Sequence, residues 1–120
     1  YVGVDETGSV WGSMNLNGQQ LPEYQNGAWT IPAEDRQVAV IHTLTIDPAR
    51  AGQGLARQMV AFAEDTARRQ GKTVLRLDTG TENLPANRMY PALGYRAAGT
   101  VDTFFMGDSR RPLNLYEKKL

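Results

Sequence analysis

A glycine-rich bend that follows an apolar strand is the part of this sequence whose residue types and spacing most directly indicate chemistry. The strand Leu44-Thr45-Ile46 leads through a proline-marked turn to Gly52-Gln53-Gly54, and Leu55-Ala56-Arg57 open an amphipathic helix. That order collects backbone N–H groups at a helix N-terminus, where the helix dipole favours negative charge. The bend is therefore predicted to bind a phosphorylated ligand.

Other phosphate motifs, metal sites and nucleophile sites fit these residues poorly. A dinucleotide-binding bend needs a third glycine where this chain has Arg57, and Gly71-Lys72-Thr73 opens a strand where a P-loop would open a helix. His42 is the single histidine, which excludes two-histidine metal sites, and no acidic cluster has calcium-loop spacing. A serine triad lacks its Gly-x-Ser-x-Gly elbow. No metal is expected.

Apolar periodicity and turn residues divide the chain into elements in the order β-β-β-α-β-α-β-β, an α+β domain. Val38 to Ile46 is an almost unbroken aliphatic run, which predicts a central strand buried on both faces. Asn83 is a predicted N-cap, and Gly71 and Gly94 are predicted to end the two helices. The other expectations are strands at 1–5, 10–16, 74–77, 95–105 and 113–119, helices at 52–70 and 83–94, a short strand around 28–31, and a polar loop at 107–112.

Composition narrows the class of protein and of partner. With 120 residues, 41% hydrophobic and 22% charged, the chain is expected to form one globular domain. A formal net charge of zero, without a long basic run, argues against nucleic acid or an anionic membrane as partner. The sequence has no cysteine, which excludes a cysteine nucleophile and fits a reducing compartment, so a cytoplasmic location is expected.

Three motifs occur in a fixed order. Leu44-Thr45-Ile46 precedes Gly52-Gln53-Gly54-Leu55-Ala56; Asn83 and Ala86 precede Tyr90 with the spacing Asn-x-x-Ala-x-x-x-Tyr; and Leu93-Gly94-Tyr95 follows. Together they resemble the strand and pyrophosphate signature, the next helix and the helix exit of the GCN5-related N-acetyltransferase (GNAT) family. One position departs from the signature, because Ala51 stands where the family has Arg or Gln, and Arg50 is one residue early.

The resemblance implies the acyl-CoA N-acyltransferase fold, with a mixed, mostly antiparallel sheet, a splayed central strand pair and two helices. It implies acetyl-CoA as co-substrate and a small-molecule or peptide amine as acceptor, whose identity the sequence leaves open. The residues that the resemblance assigns to cofactor binding are Leu44, Thr45, Ile46, Gly52, Gln53, Gly54, Leu55, Ala56, Arg57, Asn83 and Asn87.

The resemblance also assigns the catalytic groups. Tyr90 stands where the family has its general acid, and a phenol with an ordinary pKa near ~10 suits protonation of a thiolate. His42 lies where many relatives carry a glutamate that removes the amine proton, and its ordinary pKa near ~6.5 suits a base. Glu34 and Asp35, on the loop before this strand, are reserve candidates. Without a cysteine or an activated serine, direct transfer onto a primary amine is expected.

The family usually has a strand and two helices before the hairpin with which this chain begins, and they form one wall of the acceptor pocket. The chain is therefore expected to be a single GNAT-like domain, residues 1–120, that is truncated at its N-terminus. Two further interpretations stay open. One is a non-catalytic acyl-CoA-binding or regulatory module of the same fold, and the other is a homodimer in which a partner chain fills the gap.

Overall fold

A single mixed sheet organises the protein, whose computed structural model describes residues 1–105 and 109–120. The sheet has six strands in the order β1-β2-β3-β4-β6-β5, and β3 and β4 are its parallel pair. The predicted α+β class and the predicted order of elements are both confirmed. The elements are β1 (Val2–Val4), β2 (Val10–Asn17), β3 (Val38–Ile46), α1 (Leu55–Arg69), β4 (Val74–Gly80), α2 (Leu84–Ala92), β5 (Arg96–Phe105) and β6 (Ser109–Lys119).

The sheet separates two apolar clusters because successive side chains of a strand point to opposite faces. On the helix face, Ala39 and Ile41 of β3 pack with Met59 and other buried residues of α1. On the opposite face, which we call the loop face, Val38 and Val40 pack in a cluster with Tyr24. Among the described residues, no helix has the length and apolar character needed to cross a membrane.

Both helices end where their glycines predict. Gly71 (φ +80°) follows α1 and Gly94 (φ +92°) follows α2, in the left-handed conformation that glycine adopts at low cost. The N-terminal boundary of α1 was predicted too early, because the helix begins at Leu55 and the glycines before it form the bend. Asn83 is the N-cap of α2, and its side chain accepts a hydrogen bond from the Ala86 N–H.

Two local predictions are wrong. Residues 28–31 form no strand, because the N–H groups of Thr30 and Ile31 donate to the buried carboxylate of Glu117, at 3.0 and 2.8 Å. The polar loop predicted at 107–112 is shorter, since β6 begins at Ser109; positions 107 and 108 lie outside the described residues. Pro112 is tolerated inside β6 because it lies just beyond Leu113, the last β6 residue that pairs with β4. At this position the Pro112 carbonyl accepts from the Thr81 N–H.

The predicted burial of β3 on both faces holds for only half of the strand. Val38 to Ile41 are buried, whereas the side chains from His42 to Ile46 are half-buried or exposed. The change coincides with the end of the pairing between β3 and β4, which is Ile41 with Leu77. The exposed half of β3 forms a wall of the cleft described next.

Candidate active site

The parallel strands at the centre of the sheet separate half-way along their length. β3 and β4 pair from Val38 with Val74 to Ile41 with Leu77, and no further pairing between them follows in the described residues. Beyond that point β3 is bulged against β2, with Thr43 and the next residue opposite a single β2 residue. Thr43 has φ +53°, which is rare for a β-branched residue. Because a bulge bends its strand, β3 turns away from β4 and the sheet splits.

A cleft of about 790 Å³ occupies the split. Its walls are the bulged half of β3, the bend at residues 47–57, the end of β4 with the start of α2, and residues 111–113 of β6. The residues predicted for the site that line it are Leu44, Ile46, Gly52, Gly54, Leu55, Ala56, Arg57, Asn83 and Tyr90. Those that do not line it are His42, Thr45, Gln53 and Asn87.

The bend presents a run of backbone donors to this cleft. Gly52 (φ +81°) and Gly54 (φ +73°) adopt left-handed conformations, and no side chain caps the N-terminus of α1. The first hydrogen bond of the helix joins the Gln58 N–H to the Gly54 carbonyl at 3.2 Å. Within the described part of the chain, the N–H groups of Gly52 and of residues 54–57 have no protein acceptor. Such a nest of free donors is suited to an anion.

Arg50 lies beside the bend and is held there by two carboxylates. Its Nη2 donates to Oδ2 of Asp5 at 2.8 Å, and its Nε lies 4.0 Å from Asp47. The pKa of Asp5 is lowered by the hydroxyl of Thr7 and by the Arg50 guanidinium. Since Arg50 also lines the cleft, it brings positive charge close to the nest although it stands one residue before the position of the signature.

Tyr90 brings a phenol to the cleft from the helix face. Its side chain is 5% exposed, and its ring packs against those of Tyr95 and Tyr116 at 5.5 and 5.6 Å between centroids. Burial, followed by the charge of Asp78, raises the pKa of Tyr90 to about 12. Its hydroxyl has no hydrogen-bond partner among the described residues. Because this oxygen is not among the polar atoms buried without a partner and Tyr90 lines the cleft, the hydroxyl is accessible from the cleft. Tyr90 therefore holds its proton at neutral pH.

The two asparagines of α2 have different surroundings. Asn83 caps the helix and lines the cleft. The amide of Asn87 is instead used within the protein, because its Nδ2 donates to the carbonyls of Gly80 and Asn83, at 3.0 and 2.9 Å. Its Oδ1 accepts from the hydroxyl of Tyr116 at 2.7 Å and from Asn114 at 3.0 Å. Asn87 thus ties α2 to β6 and does not reach the cleft.

The predicted bases also lie outside the cleft lining. Nε2 of His42 is 3.0 Å from Oδ1 of Asn17, on the neighbouring strand. Glu34 pairs with Arg36 at 2.6 Å, and Asp35 accepts from Gln20 at 3.2 Å. Both acids precede β3, whereas the split begins after Ile41, where the pairing of β3 with β4 ends. The paired half of β3 therefore lies between these acids and the split. The structure does not bring Glu34 or Asp35 to Tyr90.

Asp78 is one of the residues lining the cleft that were not predicted for the site from the sequence. It follows Leu77, the last residue of β4 that pairs with β3, and it lines the cleft. The Tyr24 hydroxyl donates to its Oδ2 at 2.6 Å. Burial raises the pKa of Asp78, and the Tyr24 hydrogen bond and the His42 ring act in the opposite direction. The sequence signal that could have indicated this position is an acidic residue directly after the predicted core strand at 74–77.

Comparison with known proteins identifies the family. A model of the acetyltransferase (GNAT) family matches residues 1–95. The chain belongs to the GNAT family. An uncharacterised N-acetyltransferase of Methanocaldococcus jannaschii is 33% identical over 73 residues, which are 61% of this chain and 32% of that protein. Streptothricin acetyltransferase of Escherichia coli is 30% identical over 79 residues, 66% of this chain and 41% of that protein.

Solved structures share the GNAT fold over nearly the whole chain. The structure of yncA from Salmonella typhimurium with its cofactor acetyl-CoA has a TM-score of 0.72 at 22% identity, covering 97% of this chain and 61% of that one. A GCN5-related N-acetyltransferase from Kribbella flavida has a TM-score of 0.75 at 24% identity, covering 99% and 66%. The predicted family and fold are confirmed. The chain nevertheless spans less than half the length of the two curated relatives.

Proposed function

We propose that this GNAT chain is part of an enzyme that transfers the acetyl group of acetyl-CoA directly onto a primary amine. The observation that carries the proposal is that Gly52 and residues 54–57, whose N–H groups are free, line the same cleft as Tyr90, whose hydroxyl has no partner among the described residues. The first is suited to a diphosphate, and the second can give a proton to a leaving thiolate. The cleft lies at the split in the sheet, where a strand wall and a helix N-terminus meet.

The cofactor arm would lie along the bulged half of β3. Leu44 and Ile46 line the cleft there, and Thr45 belongs to the same backbone segment, whose peptide groups no longer pair with β4. Acetyl-CoA supplies the thioester carbon that an amine attacks. A backbone N–H on this wall would polarise the thioester carbonyl, as in an oxyanion hole. Asn83, on the opposite wall, offers its side chain to the same arm.

Tyr90 is the proposed general acid. A phenol that stays protonated at neutral pH, with its hydroxyl open to the cleft, has a proton for the thiolate as the carbon–sulfur bond breaks. Holding both reactants in one cleft supplies a further part of the rate by proximity. The predicted base, His42, lies outside the cleft lining, and its Nε2 is 3.0 Å from Oδ1 of Asn17, so the proposal does not include His42 as the base.

The test is acetyl transfer by the full-length protein. Release of free thiol from acetyl-CoA is measured with a panel of primary amines, and binding of CoA is measured separately by calorimetry. Turnover that depends on the amine supports the proposal. CoA binding without turnover on any amine would instead favour the acyl-CoA-binding or regulatory module. A cytoplasmic location, a homodimer and a single truncated domain stay predictions from the sequence.

A further inference from the structure

A second cavity, of about 540 Å³, lies apart from the cleft. Its walls come from Gly18, from residues of the segment at 20–25, and from Trp29, Asp35 and Arg76. Among the described residues, none lines both this second cavity and the cleft. Tyr24 stands between the two, because it lines the second cavity and its hydroxyl donates to Asp78 in the cleft. The second cavity is therefore a separate candidate site.

Arg76 brings a positive charge to the second cavity from β4. Its neighbours Leu75 and Leu77 pack in the cluster of the helix face, so its own side chain points to the loop face. The central carbon of its guanidinium lies 4.2 Å from the ring centroid of Trp29. Its Nη1 donates to Oε1 of Gln20 at 2.7 Å. Stacking on one side and this hydrogen bond together fix the plane of the guanidinium.

The remaining edge of the Arg76 guanidinium has no acceptor. Nε is buried without a hydrogen-bond partner, the one side-chain nitrogen or oxygen in this condition among the described residues. Nη2 donates to none of these residues either, and it is not buried. Nε and Nη2 lie on one edge of the planar group, and that edge can bind both oxygens of a carboxylate. Because a buried donor without a partner destabilises the folded protein, an acceptor at this edge is favoured.

Glu117 lies near Arg76 and does not occupy this edge. The two residues are opposite each other in β4 and β6, and the carboxylate of Glu117 is fully buried. Its oxygens accept the N–H groups of Thr30 and Ile31, and Oε1 lies 4.0 Å from Nη1 of Arg96. The hydrogen bonds of Glu117 are thus made to the loop, and Arg76 receives only its electrostatic field.

Asp35 is the acid that lines the second cavity, and it is also held away from the free edge. Its Oδ1 accepts from Nε2 of Gln20 at 3.2 Å, so the Gln20 amide bonds both Asp35 and Arg76. Asp35 is exposed, and solvent with its ions screens its charge. Burial lowers the pKa of Arg76, and the charges of Glu117 and Asp35 act in the opposite direction. A guanidinium remains charged in proteins, so the free edge belongs to a cation.

Apolar residues complete the second cavity. Leu21, Pro22 and Trp29 line it together with the guanidinium of Arg76. A volume of about 540 Å³ is in the range of small-molecule sites, which combine apolar walls with a few polar groups that orient the ligand. Such walls suit an apolar body, and the free edge suits a planar anion.

We propose that the second cavity binds a small carboxylic acid with an apolar body, whose two carboxylate oxygens accept from Nε and Nη2 of Arg76. The body of the ligand contacts Leu21, Pro22 and Trp29. No bond is made or broken in this site. The inference goes beyond the proposed acetyltransferase function and does not depend on it, because the second cavity and the cleft are lined by different residues.

The first test measures binding of benzoate to the full-length protein by calorimetry, with benzamide as a neutral ligand of the same shape. We expect saturable binding of benzoate and an affinity for benzamide that is at least about tenfold lower, because benzamide lacks the paired anionic oxygens. Inorganic phosphate, which has no apolar body, should also bind more weakly than benzoate. Absence of saturable benzoate binding, or equal affinity for either comparison ligand, would overturn the proposal.

The second test compares Arg76→Lys with Arg69→Lys, the same change at an exposed arginine of α1. Lysine keeps the positive charge near the buried Glu117 and loses the two-pronged edge. The Kd for benzoate is expected to rise by about 10- to 100-fold in Arg76→Lys and to stay that of the wild type in Arg69→Lys. Thermal unfolding shows whether both variants are folded. Wild-type affinity in a folded Arg76→Lys would refute the role of Arg76.

The third test needs no variant. In isotope-labelled wild-type protein, the Nε–H resonance of Arg76 should move downfield on addition of benzoate, because a hydrogen bond to a carboxylate forms. A resonance that benzoate does not move, or one that already lies downfield because an internal group accepts from it, would overturn the proposal.

A competition experiment separates the second cavity from the bend at residues 47–57. Benzoate should bind equally well with and without saturating acetyl-CoA. Displacement of benzoate by acetyl-CoA would place the anion at the bend and refute the second site. A protein that binds benzoate through Arg76 but does not bind acetyl-CoA would instead contradict the proposed acetyltransferase function, so the two failures are distinguishable.

Discussion

Replacing Gly54 with alanine tests the proposed binding of phosphate at the bend against a matched control at the other end of the same helix. Gly54 (φ +73°) precedes α1 and Gly71 (φ +80°) follows it, and a Cβ on either would meet no atom within 4 Å. Both substitutions therefore introduce left-handed strain without a clash. That strain lowers the free energy of unfolding by about 1–2 kcal/mol in each variant. Gly54 lies in the cleft, whereas Gly71 does not line it.

The two variants should differ in binding. Alanine favours negative φ, and relaxation of position 54 toward it would turn the N–H groups of Gly54 and Leu55 away from a shared anion. A hydrogen bond to a charged group contributes about 1.5–3 kcal/mol, and 1.4 kcal/mol corresponds to a factor of ten. Loss of one such bond predicts a Kd for acetyl-CoA that is about 10- to 100-fold higher in Gly54→Ala. Gly71→Ala should bind as the wild type does.

Calorimetric titration with acetyl-CoA and thermal unfolding of the three proteins give the required readings. Both variants should unfold a few degrees below the wild type, at roughly 4 °C per kcal/mol for a domain of this size. Gly54→Ala alone should lose affinity. Wild-type affinity in Gly54→Ala, or an equal loss in both variants, would refute the argument that the bend seats the diphosphate.

Three further predictions concern the cleft and its supports. Tyr90→Phe should lower kcat by about 10²- to 10⁴-fold with the Kd for acetyl-CoA unchanged, and equal turnover would exclude Tyr90 as the acid. Asn87→Ala should leave the Tyr116 hydroxyl unpaired and lower the free energy of unfolding by about 1–3 kcal/mol in a urea titration; lost affinity at unchanged stability would return Asn87 to the cofactor site. Burial raises the pKa of Asp78 in the folded protein above its pKa in the unfolded chain. The contribution of this group to the free energy of unfolding is therefore complete at a pH below the unfolded-state pKa, and it is lost as the pH rises through the folded-state pKa. Asp78→Asn should therefore raise Tm at pH 7 and leave it unchanged near pH 3, and a lower Tm at pH 7 would contradict this.

The features that could be predicted from the sequence depend on residues close together in the chain. The glycines at 52 and 54 determine the shape of the bend, and Asn83 and Gly94 mark the ends of α2. Aliphatic runs predict the strands, because a buried strand needs apolar side chains whatever its place in the sheet. The short strand expected at 28–31 is absent because of a residue that is distant in the chain. The carboxylate of Glu117 in β6 accepts the N–H groups of Thr30 and Ile31, which would otherwise have paired with a strand.

The sequence alone determined the order of the elements, the nest of donors at the start of α1 and the tyrosine on the following helix. The tertiary structure decided which side chains meet at the split. Tyr24 and Asp78 are 54 positions apart, and Asn87 and Tyr116 are 29 positions apart, yet each pair shares a hydrogen bond. Local spacing carries no information about such contacts. The burial that raises the pKa of Asp78 and Tyr90 likewise depends on packing between elements, which exists only in the folded chain.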